Sequence, residues 1–98
     1  MESDLTKAQK LLDRWTQQLP KEGVPCEDAV LVMESLGMMV TTDSQNHKYA
    51  RHPKLLGSDN YPAGSFRVNC HYRGKQGVAH PAAVRDIVRA ARIIQEQE

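Results

Sequence analysis

Leu5, Ala8, Leu12, Trp15 and Leu19 recur at three- and four-residue spacing, with Lys, Gln, Asp and Arg between them. That period predicts an amphipathic helix, capped by Ser3 or Asp4 and ended by Pro20. Lys21 to Val24 reads as a linker. Pro25 suits the opening turn of a second helix, where Glu27 and Asp28 favour its positive end. The apolar face of that helix is Ala29, Val30, Met33 and Leu36, and Gly37 is a natural C-terminal cap.

The period then changes to two. Met38 to Thr42 (MMVTT) is apolar and β-branched, and DSQN makes a turn. His47 to His52 alternates, with His47, Tyr49 and Arg51 on one side and Lys48, Ala50 and His52 on the other. Pro53 to Gly64 holds two Pro and two Gly and reads as a loop. Ser65 to Tyr72 alternates again: Phe66, Val68 and Cys70 face inward, and Arg67, Asn69 and His71 face outward. Arg73 to Gly77 reads as a turn. Pro81 opens a last helix with the apolar stripe Val84, Ile87, Val88 and Ala91, beside a basic stripe of Arg85, Arg89 and Arg92.

The expected fold is therefore α+β, in the order α-α-β-β-β-α, with a three-stranded antiparallel sheet packed on helices. Residues 1–24 form an additional N-terminal helix and linker, and residues 25–98 the main domain.

Ninety-eight residues suffice for one modest core. A hydrophobic fraction of 40% and a charged fraction of 26% are ordinary for a globular chain. No apolar run is long enough for a membrane span, and MESDLTKAQ has no apolar signal core. The cytoplasm is the expected compartment. Cys26 and Cys70, in no CxxC or framework spacing, fit two thiols in a reducing environment better than a disulfide.

Charge adds a direction. The net charge is +1, but residues 1–46 hold four Lys/Arg against eight Asp/Glu, while residues 47–92 hold nine against two. All four histidines lie in the basic half. That split suggests a polyanion-binding face, with nucleic acid the natural partner.

The chain also resembles a known family, the HicA toxins of bacterial toxin–antitoxin pairs. Leu36-Gly37-Met38 is similar to the family's helix end, and Asn46-His47-Lys48-Tyr49-Ala50-Arg51-His52-Pro53 to its histidine strand. Val68-Asn69-Cys70-His71 matches the third strand, and Pro81 to Val88 the closing helix. The resemblance covers about residues 25 to 94. It departs where the family has Gly-Ser before the histidine (here Gln45-Asn46) and Gly-Thr in the closing helix (here Ala82-Ala83). It implies a fold similar to a double-stranded-RNA-binding domain and a metal-independent, ribosome-independent mRNA interferase without a cofactor. It further implies His47 as the catalytic residue and a HicB-like antitoxin as partner.

The chemistry fits the residue types. An imidazole titrates near neutral pH, so it can take the proton of a ribose 2′-hydroxyl, and the oxygen then attacks the adjacent phosphate. Arg51, Lys48 or Arg85 are the cations expected to support the phosphorane. Lys48, Tyr49, Arg51, Arg67, His71, Arg73, Lys75, Arg85 and Arg89 are the candidate RNA contacts. Tyr49 either stacks on a base or packs in the core. The plainer use of His47 is a polar strand start bonded to the DSQN turn. His52 and His80 each precede proline, which suits local turn chemistry, and the four histidines have no metal-ligand spacing. Two other functions remain open: a non-catalytic RNA-binding module on the same fold, and an interaction module that dimerises through the first helix.

Overall fold

A computed structural model describes residues 4–43, 47–73 and 76–96, with the backbone course alone at 71–73 and 76. Helix α1 spans Asp4–Gln17 and α2 Cys26–Ser35, with a two-residue strand, β1, at Val24–Pro25 between them. Strands follow at Met39–Thr42 (β2), Lys48–Leu56 (β3), Ala63–Val68 (β4), Cys70–Arg73 (β5) and Gln76–Ala79 (β6). Helix α3, Pro81–Glu96, closes the chain. The α+β class and the three-stranded antiparallel sheet are as the pattern implied: β2-β3-β4 is that sheet.

One face of this sheet is buried and the other open, as strict alternation requires. Ala50, Phe66 and Val68 point inward at 0–8% exposure, onto α3, whose Ala83, Val84, Ile87, Ala90, Ala91 and Ile94 form the facing stripe. Helix α1 joins the same core through Ala8, Leu12 and Trp15, three of the five positions of its apolar stripe. Its outlying members, Leu5 and Leu19, stay exposed.

The structure differs from the sequence reading in three places. Pro53 to Leu56 and, at the far end of the expected loop, Ala63 and Gly64 are strand rather than loop, and Leu55 is fully buried. Proline in a central strand normally removes a ladder bond. Here the β3–β4 register shifts between Arg51 and Leu56, so Pro53 sits where pairing is already irregular.

The presumed third strand is divided at Asn69. Its first part, β4, stays in the main sheet, and its second part, β5, pairs with β6 in a separate sheet of order β1-β6-β5. Strand β6 takes in Gln76 and Gly77, read as turn, and β1 takes in Val24, read as linker. The short alternating run of only four residues gave β6 no period to announce it.

The third correction follows from the second. Cys26 and Cys70 are joined in a disulfide with Cα atoms 5.9 Å apart, not two separate thiols. Strand β6 explains the meeting: Ala79 pairs with Val24 on one side and with Cys70 on the other, so Cys26 and Cys70 converge across it. Such a bridge belongs to an oxidising setting more readily than to a reducing one. Gly23 permits the approach, because a Cβ there would stand 2.6 Å from the carbonyl oxygen of Ala79. Among the described residues no helix is long and apolar enough to cross a membrane.

Candidate functional site

The β2–β3 hairpin is closed by Asp43. Its backbone N–H donates to His47 O at 3.0 Å, and its Oδ1 accepts the His47 N–H at 2.9 Å. This side chain–backbone bond is the usual device by which aspartate fixes a turn. It also delivers the carboxylate to the imidazole: Asp43 Oδ2 lies 3.4 Å from His47 Nδ1 and accepts from Tyr49 O–H at 3.4 Å. The expectation that His47 is bonded to the turn holds, with Asp43 as the partner. Ser44, Gln45 and Asn46, which carry the altered motif, lie outside the described residues.

Across the sheet, Thr41, Tyr49 and Arg67 stand in one row on the open face, and Met39, Arg51 and Ser65 in the next. Arg67 reaches from β4 to His47, its Nη2 at 2.7 Å from Nε2 and 2.8 Å from Nδ1. A guanidinium only donates, so the ring nitrogen that engages it presents a lone pair. Nη2 is almost equidistant from the two ring nitrogens, so it caps the imidazole rather than bonding one nitrogen alone, and the donor and acceptor roles follow the tautomer. His47 is partly exposed, with a quarter of its side chain open to solvent.

The remaining candidates separate cleanly. Tyr49 is 37% exposed on this open face, which removes core packing as its use. Arg51 is exposed on the same face beside Met39, where an apolar groove of about 410 Å³ begins, lined by Met39, His52, Pro53 and Leu56 among others. Lys48 alternates to the other side, its Nζ bonded to Thr42 Oγ1 at 2.8 Å. Arg85, Arg89 and Arg92 are exposed on α3, in the helix layer rather than on the open sheet face. His71 and Arg73 fall in β5 with only their backbone described, and Lys75 lies outside the described residues.

His52 and His80 do what their position before proline suggested. Each Nδ1 accepts the N–H two residues on, from Lys54 and Ala82 respectively, both at 3.0 Å. Among the described residues no three His, Cys, Asp or Glu side chains gather as a metal site.

Asp43 is the residue the sequence reading missed as a site member, although the turn that carries it was recognised. Arg67 was read as a phosphate grip, and its contact with His47 could be found only from the β3–β4 register. No family model, no curated protein and no solved structure matches the chain.

Proposed function

We propose that the chain is a HicA-like endoribonuclease that cuts single-stranded mRNA at the open face of β2-β3-β4, with His47 as general base. The observation that carries this is the Asp43–His47–Arg67 contact, a base with an orienting carboxylate on one side and a cation on the other. His47 Nε2 takes the proton of a 2′-hydroxyl, and O2′ bonds to the phosphorus as the P–O5′ bond breaks. The 5′-oxygen leaves with a proton from water. The products are a 2′,3′-cyclic phosphate and a 5′-hydroxyl. Arg67 turns from the imidazole to the phosphate, freeing the lone pair while meeting the developing charge. Tyr49, exposed in the same row as Arg67, supplies a stacking surface for an unpaired base. Because the nucleophile belongs to the substrate, these steps require no bound cofactor. A HicB-like antitoxin covering this face is the partner that goes with the reading.

The second reading is a non-catalytic RNA-binding module. It is favoured by the backbone use of Asp43, which gives His47 a purely structural reason to sit where it does. The two are separated by end-group analysis of RNA incubated with the purified chain in EDTA. Cyclic phosphate termini support cleavage, and intact RNA that remains bound supports the binding module.

A further inference from the structure

We propose that Arg67, Asn69 and His80 form a subsite for one backbone phosphate of single-stranded RNA beside His47, an assignment that rests on the RNA reading above. The three line one cleft of about 330 Å³, together with Ala82, Ala83 and Asp86. That volume is in the range of small-molecule clefts. The path of the chain builds it. Arg67 and Asn69, both exposed, stand two residues apart where the chain passes from β4 to β5, about 7 Å along it. The next residue, Cys70, pairs with Ala79, so His80 emerges next to Asn69.

His80 is not an ordinary surface imidazole, because the backbone selects its tautomer. Its Nδ1 accepts the Ala82 N–H at 3.0 Å, which puts the ring proton on Nε2. The ring therefore offers a neutral Nε2–H donor at the cleft. Handing that proton over would leave an imidazolate, so its role is hydrogen bonding and not acid catalysis. The first amides of α3 add nothing, since those of Ala82, Ala83 and Val84 are all engaged by His80. The donors open to a ligand are side chains: the amide of Asn69, Nε2–H of His80 and, once it leaves His47, the guanidinium of Arg67. One carboxylate, Asp86, also lines the cleft, and its Oδ1 accepts the Tyr61 O–H at 2.9 Å. One cation with two neutral donors suits an anion with several acceptor oxygens, and Arg67 links that anion to His47.

The test is fluorescence anisotropy with a labelled 2′-O-methyl oligouridylate, which offers no 2′-hydroxyl to attack and so reports binding alone. Asn69→Ala and His80→Asn are each expected to weaken binding about three- to tenfold, the worth of one hydrogen bond. Neither removes a charge, so the slope of log K against log salt stays at the wild-type value. Arg67→Gln lowers that slope by about one. In His80→Asn the new carbonyl can still accept the Ala82 N–H, and Asn69→Ala leaves that turn untouched. Wild-type affinity in both neutral variants overturns the subsite and leaves the RNA reading standing. A lowered salt slope in them also overturns it, because the loss would then be acting through Arg67. Failure of the wild-type protein to bind the oligonucleotide at low salt overturns both.

Discussion

Arg67 Nη2 lies 2.7 Å from Nε2 of His47, Arg67 standing in β4 and His47 just ahead of the facing strand β3. A permanent cation thus sits against the imidazole that would act as general base, and a phosphate would compete with the ring for it. Arg67→Met removes both the contact and the charge. The expected result is weaker binding to every RNA sequence tested and a turnover reduced by about 10²–10³ at saturating RNA. Equal losses in binding and turnover would assign Arg67 to binding alone.

Asp43 tests the other side of the ring. Asp43→Asn keeps a carbonyl to accept the His47 N–H, so the turn is expected to survive. What changes is the carboxylate facing Nδ1. Cleavage is expected to fall on the order of tenfold to a hundredfold with RNA affinity unchanged. Nitrogen-15 spectra of the ring should show Nδ1–H in the wild type and a mixture of tautomers in the variant.

The Cys26–Cys70 bridge closes a loop of 44 residues and ties the start of α2 to β5. Reduction, or Cys26→Ser with Cys70→Ser, is expected to lower stability by about 2–4 kcal/mol in urea unfolding. The open face of β2-β3-β4 should keep its structure, since neither cysteine belongs to that sheet. An unchanged midpoint would mean that the core alone holds β1, β6 and β5 together.

Tyr61 gives a pH signature. Burial, then the hydrogen bond and charge of Asp86, hold its phenol well above the usual value near 10, with Arg89 acting the other way. The unfolded chain releases that proton first. The stabilisation is therefore complete below pH 10 and declines as pH rises beyond it, by about 1 kcal/mol over the first unit. Tyr61→Phe should lose about 1 kcal/mol at neutral pH through the missing bond to Asp86 and fall less steeply above pH 10. Parallel stability curves for the two proteins from pH 9 to 11 would refute the assignment.

Much of the fold could be read from period alone. Ala8, Leu12 and Trp15, the inward Phe66 and Val68, and Val84, Ile87 and Ala91 of the α3 stripe are spaced as their elements require and buried, with Val88 half-buried beside them. What period could not give was β6, too short to show alternation, and with it the disulfide, because Ala79 is what brings Cys26 and Cys70 together. The strand across Pro53 was hidden for a different reason, a register shift that only the partner strand reveals. In the site, His47 and Tyr49 share a face by simple alternation. The place of Arg67 depends on β3–β4 register across a loop, and that of Asp43 on turn geometry, neither of which spacing along the chain specifies.

Whether His47 takes a proton from RNA is decided by one comparison. Labelled single-stranded RNA is incubated in EDTA with the wild-type protein and with His47→Ala, and cleavage and binding are followed in parallel. The wild type is expected to cut, while His47→Ala binds with near wild-type affinity and is slower by about 10² or more. Equal cleavage by the two proteins, or binding without cleavage by the wild type, would contradict it.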